Sequence, residues 1–306
     1  MRTDQLAPAL QEFLTVSQRV GASCPHWCQG DSGYVSIKYA RGSGRNILIK
    51  KPAVRITEVS SDFGWHEFPV DKLLTQLDEP LVSEWLDSHH ASVHSLLPGS
   101  VVVELTSLVA LLMAHEHNND MNVPCWLSER LQGEVAIVPY PKSLNDLFTS
   151  ICLHINKSAI IIANYGVLLQ AETTDIIANW QAVEREFCER LGYLRLLKHL
   201  GGASIAEVTE APAPKRNYLG GPRRHKFVPA NALSEVAKAR QGVVKRQAEK
   251  QFHLHSDDPC VNELWQAHQI LFAECPALSE LPSTASAAFI HRSRTLQDDD
   301  LLFRRR

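Results

Sequence analysis

The sequence predicts a mixed α/β protein whose central sheet is partly antiparallel and is flanked by helices. Short runs rich in β-branched residues alternate with longer stretches of helical period over roughly the first two hundred residues. A Gly-Ser-Gly turn at Gly42–Gly44 lies between two of these runs, which indicates a β-hairpin. The 306 residues, 44% of them hydrophobic and 21% charged, are enough to bury a substantial core. Alternating strands and helices of this kind are typical of the α/β class.

The first predicted element is an amphipathic helix over residues 3–20, which places Leu6, Leu10 and Val20 on one face. The acidic residues in this segment are not typical of a signal peptide. No apolar run in the sequence approaches the roughly 20 residues needed to cross a bilayer. We therefore expect no association with a membrane.

A hairpin and two helices are predicted next. Tyr34–Tyr39 and Asn46–Lys50 are the two strands of the hairpin. Helices are then predicted over Asp71–Leu77 and over a longer stretch that ends near Leu97, where Pro98-Gly99 stops it.

Strand and helix alternate through the next hundred residues. The predicted strands are Val101–Val103, Glu134–Pro139, Ala159–Ala163 and Val167–Gln170. The first predicted helix is capped at Ser107 and ends near His115. The second begins at Ser143, in a capping box with Asp146, and ends at His154. The third is capped at Thr173 or Thr174 and ends near His199.

The composition changes near Val208, where proline, glycine and basic residues follow one another without the hydrophobic periodicity of a helix or a strand. We place a domain boundary there, which divides the chain into a first domain over 1–207 and an extension over 208–306. Helices are predicted in the extension over Asn231–Lys250 and Asn262–Glu274. The rest of the extension has too little apolar content to pack, so we expect it to be partly disordered.

Positive charge is concentrated in Lys215–Lys250, which holds ten Lys or Arg and only two acids, a local charge of +8. Since the whole chain carries −3, the remainder sums to −11. We expect this segment to meet an anionic or protein partner, or an acidic face of its own protein. A solvated basic helix and loop is the alternative. Nucleic acid is not the expected partner, because only Tyr218 and Phe227 are nearby to stack on bases.

The chain has seven cysteines, an odd number that argues against a disulfide framework and favours a reducing compartment. We therefore expect a cytoplasmic protein.

Cys24 and Cys28 are four residues apart, but no second Cys or His pair at metal spacing follows them, so zinc is not the favoured interpretation. The pairs His115 and His117, and His253 and His255, are further candidates for a metal, although surface histidines are the commoner explanation.

Several segments, taken in order and with their spacing, resemble the class II aldolase/adducin family over about residues 8–200. The segments are Gln29–Lys38, Ile47–Lys50, Phe68–Asp71, His94–Pro98, Val138–Tyr140 and Ala163–Leu168. The resemblance implies a three-layer fold with a mixed, mostly antiparallel sheet, and a homo-oligomer, commonly a tetramer. In the family, this fold supports metal-dependent aldol chemistry on carbohydrate-related substrates.

The residues that carry this chemistry in the family are replaced here. Its three metal-binding histidines correspond to Glu104, Thr106 and Tyr165, and hydroxyl and phenol groups are poor substitutes for imidazole. Its catalytic carboxylate falls on His90, while the histidine of the same helix is kept as His94. We therefore expect no metal cofactor, with zinc or another divalent metal as the alternative.

The anion-binding positions of the family correspond to Gly30, Gly33, Ser36 and Lys50. The residues between them are larger here, and Pro52-Ala53 replaces a Ser-Gly pair whose backbone would approach an anion. We expect this cradle to be closed.

Two functions are compatible with these replacements. The leading hypothesis is a pseudoenzyme, a non-catalytic binding, regulatory or assembly protein that has kept the fold. The alternative is a carbohydrate-related lyase, aldolase or epimerase with a rebuilt site, in which His90 and His94 share a helix face and meet Glu104.

Overall fold

The computed structural model describes residues 6–29, 32–52, 54–75, 88–117, 123–139, 144–163, 165–193, 196–197, 243–248, 251–255, 263 and 267. The helices are α1 (Leu6–Ala22), α2 (Val70–Thr75), α3 (Ser88–Leu96), α4 (Leu108–Glu116), α5 (Cys125–Leu131), α6 (Leu144–Leu153) and α7 (Asp175–Leu191). The strands are β1 (Tyr34–Arg41), β2 (Gly44–Lys50), β3 (Trp65–Pro69), β4 (Val101–Leu105), β5 (Val135–Val138), β6 (Ala159–Ile162), β7 (Gly166–Ala171), β8 (Val243–Ala248) and β9 (Gln251–His255).

Seven strands form one sheet in the order β3-β2-β1-β4-β7-β6-β5. Neighbouring strands are antiparallel except for β5 and β6, which run parallel. The predicted class, a mixed and mostly antiparallel sheet flanked by helices, is therefore confirmed. Within the residues described, no helix is long and apolar enough to cross a membrane.

Alternate residues of β4 face opposite sides of the sheet, as the pleat of a strand requires. Val101, Val103 and Leu105 join an apolar cluster that packs α1, α4 and α7 on one face, while Val102 joins a second cluster with α3 and α6. Glu104 follows Val102 by two residues and therefore lies on the α3 side. The strand thus carries one carboxylate into an otherwise apolar layer.

The α4 helix is buried from Leu108 to Ala114, where its side chains are apolar all round. Ser107 caps its start, since the Ser107 Oγ accepts a hydrogen bond of 3.0 Å from the Ala110 amide. This predicted cap is confirmed. The predicted cap of α7 is not, because Thr174 makes no side-chain capping bond and Thr173 instead donates to Asp175 Oδ2 at 3.2 Å.

Gly166 begins β7 at a close approach to β4. Its φ is +137°, and a Cβ at this position would lie 2.0 Å from the Leu105 carbonyl oxygen. Only glycine fits, because both the conformation and the lack of space exclude a side chain. The contact fixes the neighbouring Tyr165 against the end of β4.

The structure corrects the prediction of a helix over Asn231–Lys250. The described part of that segment forms β8, which pairs antiparallel with β9 and makes a separate two-stranded sheet. Gly242 interrupts a helical pattern, while Val243 and Val244 are β-branched and favour a strand. Pairing with Gln251–His255, where polar and apolar residues alternate, outweighed the weak helical periodicity of the segment.

Two elements, β3 and α5, were not predicted from the sequence. The boundary near Val208, the capping residue Ser143 and most of Asn262–Glu274 lie outside the described residues. Two residues of that last segment are described: Ala267 is buried in the main apolar cluster, and Glu263 pairs with Arg55. Residues beyond the predicted boundary therefore contact the part of the chain that precedes it.

Candidate functional site

A buried polar cluster lies between β4 and α3, and we call it the Glu104 cluster. The end of β4 supplies the carboxylate, and α3, the β6–β7 turn, β1 and β2 supply the groups around it. Its members are Glu104, His90, His94, Tyr165, Tyr34, Ser36 and Lys50, all of them buried.

Both carboxylate oxygens of Glu104 accept hydrogen bonds from side chains. His90 Nδ1 lies 2.7 Å from Oε2, and the Tyr165 hydroxyl donates to Oε1 at 2.6 Å. Because a carboxylate only accepts, the proton of the His90 pair lies on Nδ1. Glu104 is 3% exposed, so water does not replace these donors.

His94 lies one turn further along α3 and places a second imidazole near the same oxygen, Glu104 Oε2. Its Nδ1 lies 2.8 Å from Ser36 Oγ, and its Nε2 lies 3.7 Å from Glu104 Oε2, which is too long for a hydrogen bond. Among the described residues Nε2 has no hydrogen-bond partner, and the residue is 0% exposed.

Tyr34 closes the cluster from the side of β1, where the strand register places it opposite Glu104. Its ring stacks on the His90 ring with centroids 3.4 Å apart and an angle of 21°. On the same ring, Lys50 Nζ lies 4.4 Å from the centroid, a cation–π contact. Lys50 also donates to the carbonyl oxygens of Val54 at 2.7 Å and Lys51 at 3.1 Å.

Burial and mutual attraction set the protonation states of the cluster. Burial lowers the pKa of His90 to about 4, although the Glu104 carboxylate opposes this effect. Burial raises the pKa of Glu104, but the charge and hydrogen bond of His90, together with His94, outweigh it and hold that pKa well below its ordinary value. At neutral pH the pair is therefore a Glu104 carboxylate that accepts from a neutral imidazole.

The loop before β1 holds Gly30 and Gly33, two of the anion-binding positions implied by the resemblance, and its described residues form hydrogen bonds within the protein. The Gln29 amide donates to Ser32 Oγ at 2.8 Å, and Ser32 Oγ lies 2.9 Å from Thr106 Oγ1. Gly33 has a φ of +77°, and a Cβ there would lie 2.1 Å from Cys28 Sγ. Gly30 of this loop lies outside the described residues. The loop is thus filled by side chains of the same protein.

The divalent metal implied by the resemblance does not fit these donors. Glu104 uses both oxygens on Tyr165 and His90, and a phenol binds a metal only after losing its proton. Thr106 contacts Ser32 and the Trp27 carbonyl instead of joining Glu104. In the part of the chain that the structure describes, no group of three or more His, Cys, Asp or Glu side chains is placed to hold a metal ion.

The other sequence candidates do not join the Glu104 cluster. The side chains of His115, His253 and His255 lie outside the described residues, so their pairs stay predictions. Cys24 and Cys28 belong to no metal-binding group among the described residues. Apart from β8, the segment Lys215–Lys250 is also not described.

Sequence reasoning missed a second buried carboxylate, Glu184 on α7. Trp27 Nε1 and Ser107 Oγ donate to it, and Trp180 Nε1 donates at 2.8 Å. Burial raises its pKa to about 7 against the opposing effect of these donors. The detectable signal was an acid on the apolar face of α7, four residues after Trp180.

No family model matches the chain, and no curated protein matches it in sequence. Solved structures do match it. The L-fuculose-1-phosphate aldolase of Thermus thermophilus is 16% identical, with 65% of this chain and 99% of that chain covered and a TM-score of 0.46. The N-terminal class II aldolase domain of a conserved Thermoplasma acidophilum protein is 17% identical, with 57% and 92% covered and a TM-score of 0.42. YgbL from Klebsiella pneumoniae is 17% identical, with 65% and 92% covered and a TM-score of 0.42. Class II aldolase is also the family that the sequence motifs resemble.

Proposed function

We propose that this chain is a non-catalytic binding, regulatory or assembly protein, a pseudoenzyme on a class II aldolase/adducin-like fold. The observation that carries the proposal is the state of Glu104, whose two oxygens are both bonded within the protein and closed to solvent. The position that holds a metal in the family is here part of the protein interior.

A catalytic site must admit its substrate to the reacting groups. Here the Tyr34 ring covers His90 at stacking distance, and Tyr165 occupies the remaining oxygen of Glu104. His94 is fully buried behind them. A substrate would have to displace an aromatic ring and break a hydrogen bond to a carboxylate before reaching any of these groups.

The cluster has a sufficient explanation as a stabilising element. A buried carboxylate is costly unless it is hydrogen-bonded, and donors of this kind are stronger to a charged acceptor than to a neutral one. Glu104 links α3 through His90 to the β6–β7 turn through Tyr165. The replaced residues therefore join two elements that a bound metal would otherwise hold.

The filled loop supports the same proposal. The Gln29 amide, a backbone donor of the kind that an anion would need, already donates to Ser32. Cys28 Sγ packs against Gly33, so this part of the loop offers no open cradle.

The test is a metal analysis of the purified full-length protein, together with an assay of aldol cleavage on sugar phosphates with and without added zinc. We expect far less than one divalent ion per chain and no cleavage under either condition. One tightly bound zinc per chain, or cleavage above a buffer control, would overturn the proposal.

A second candidate is a lyase or epimerase with a rebuilt site, and the His90–Glu104 hydrogen bond favours it. A carboxylate that orients a neutral imidazole is a common arrangement for general base catalysis. His94 Nε2, at 3.7 Å from the same carboxylate oxygen, would be a second proton carrier. This function requires Tyr34 to move away from His90.

The variants His90→Ala and Glu104→Ala test this candidate, with His66→Ala as the control because His66 is an exposed histidine on β3. If the rebuilt site is used, both site variants lose metal content or affinity for carbohydrate ligands while the control keeps them. Unchanged values in both site variants would exclude it.

We also propose that the protein is a cytoplasmic homo-oligomer, with the tetramer as the form that the resemblance implies. The concentration of positive charge in Lys215–Lys250 supports an anionic or protein partner for that segment. Light scattering on the full chain tests assembly, and a mass equal to the 34.2 kDa monomer would contradict it. A captured partner whose binding did not weaken with salt would contradict the electrostatic contact.

A further inference from the structure

A charged cavity of about 520 Å³ opens between α5 and α7, and we call it the arginine cavity. Arg130 of α5 lines one side, and residues of α7 line the rest. These are Ala182, Arg185, Glu186, Glu189 and Arg190. The volume lies within the range of sites that hold small molecules.

Glu186 orients two of the three arginines. Arg130 Nε donates to Glu186 Oε2 at 2.5 Å, and Arg190 Nε donates to Glu186 Oε1 at 3.0 Å. The Arg190 guanidinium also lies over the Trp126 ring, 4.9 Å from its centroid. The hydrogen bonds of Arg190 and Arg130 hold the pKa of Glu186 below its ordinary value, so Glu186 is a carboxylate at neutral pH. Because both guanidinium groups are already oriented, a ligand that contacts them restricts less side-chain motion.

Arg185 supplies the third guanidinium of the cavity. It is exposed, and among the residues that the structure describes it forms no ion pair. The planar fork of an arginine can donate two parallel hydrogen bonds to a carboxylate. Ala182 lies one turn before Arg185 on the same helix face, and its short side chain leaves room there for the body of a ligand.

The charge of the lining indicates which class of ligand fits. The three arginines carry +3 and the two glutamates carry −2, which leaves +1. A ligand with one negative charge balances this excess. A phosphate monoester carries about two negative charges at neutral pH, so it would reverse the excess beside two carboxylates.

We propose that the arginine cavity binds a small organic acid that carries a single carboxylate. Arg185 donates to this carboxylate, and Arg130 and Arg190 add positive charge around it. The site lies outside the Glu104 cluster and does not rest on the proposed absence of catalysis.

The test compares probes of different charge on the full-length protein at neutral pH. N-acetylglycine carries one carboxylate, and N-acetylglycinamide is its uncharged amide. Binding is followed by saturation-transfer nuclear magnetic resonance, which detects weak complexes, and affinities are obtained by titration. We expect the amide to bind at least about tenfold more weakly than the acid, because it has no charge to pair with a guanidinium. Inorganic phosphate, the third probe, should also bind more weakly than the acid.

Two variants test the cavity itself. Arg185→Gln should weaken the binding of N-acetylglycine at least about tenfold, because it removes the arginine that donates to the carboxylate. Ala182→Leu should also weaken it, because a larger side chain takes the space of the ligand without a change in charge. The matched control is Arg19→Gln, since Arg19 is an exposed arginine of α1 that does not line the cavity. Thermal melts check that each variant is folded.

Several outcomes would overturn the proposal. One is a natural chain that does not bind N-acetylglycine, or that binds its amide or phosphate equally well or better. Unchanged binding in Arg185→Gln or in Ala182→Leu would also contradict it. So would an equal loss in Arg19→Gln, because that result would reflect the net charge of the protein instead of this cavity.

Discussion

Replacing Tyr165 by phenylalanine removes the hydrogen bond that the Tyr165 hydroxyl donates to the Glu104 carboxylate. The hydroxyl donates to Glu104 Oε1 at 2.6 Å, and Tyr165 is only 2% exposed. Water is therefore unable to replace the lost donor. Hydrogen bonds to charged groups contribute about 1.5–3 kcal/mol, so we expect Tyr165→Phe to lower the free energy of unfolding by about 2 kcal/mol.

The matched control is Tyr39→Phe. Tyr39 also donates to a carboxylate, Glu67, but the Glu67 side chain is 20% exposed and accepts further hydrogen bonds from Arg41 and Asn46. Solvent and the remaining donors compensate for the lost hydroxyl, so we expect a change below about 1 kcal/mol. The same substitution is thus compared at a buried carboxylate, Glu104, and at a partly exposed one, Glu67.

The assay is urea unfolding at pH 7, and again at lower pH, with two probes to check for a single transition. The folded-state pKa of Glu104 lies below its unfolded value, so its contribution is present above the unfolded pKa of about 4.3 and is lost as the pH falls through the folded value. Tyr165→Phe raises the folded pKa and should move this loss to higher pH. An effect no larger than that of Tyr39→Phe would refute the view that Glu104 is a closed, hydrogen-bonded carboxylate.

Two further predictions concern stability. Because burial raises the folded pKa of Glu184 to about 7, its contribution is greatest below the unfolded pKa and is lost as the pH rises through 7. The stability of the natural protein relative to Glu184→Gln should therefore fall by about 2 kcal/mol between pH 5 and pH 8, as measured by urea unfolding at each pH, and a constant difference would contradict the raised pKa. Gly166→Ala should cost more than about 3 kcal/mol, because its Cβ would meet the Leu105 carbonyl at 2.0 Å and its φ is +137°. Thermal melts should show this loss beside Gly44→Ala, where the new Cβ meets nothing within 4 Å and little change is expected.

The main strands and helices up to Leu191 could be predicted from the sequence because their hydrophobic periodicity is clear. The apolar runs at β4, β6 and β7 and the capping residue Ser107 are local signals, and the structure contains the corresponding elements. The β3 strand was missed because Trp65–Pro69 mixes aromatic, charged and proline residues, and its strand conformation comes from pairing with β2. The helix predicted over Asn231–Lys250 was wrong for the same reason, since pairing with β9 decides the conformation of β8.

The candidate site was partly accessible from the sequence. The four-residue spacing of His90 and His94, with the resemblance of the surrounding motifs, indicated that they would meet Glu104, and the structure places them together. The stacking of Tyr34 on His90 could not be predicted, because it depends on the register of β1 against β4. Nor could the three donors around Glu184, which come from segments far apart in the chain.

By itself, the sequence determined the α/β class and most element positions, because periodicity and residue type are local properties. Only the tertiary structure decided which groups surround Glu104. Sheet register and helix packing bring Tyr34, His90 and Tyr165 around Glu104, and burial then fixes which of these groups carry a charge. Hydrogen bonding and desolvation depend on neighbours that are distant in sequence, which is why the closed carboxylate is visible only in the folded chain.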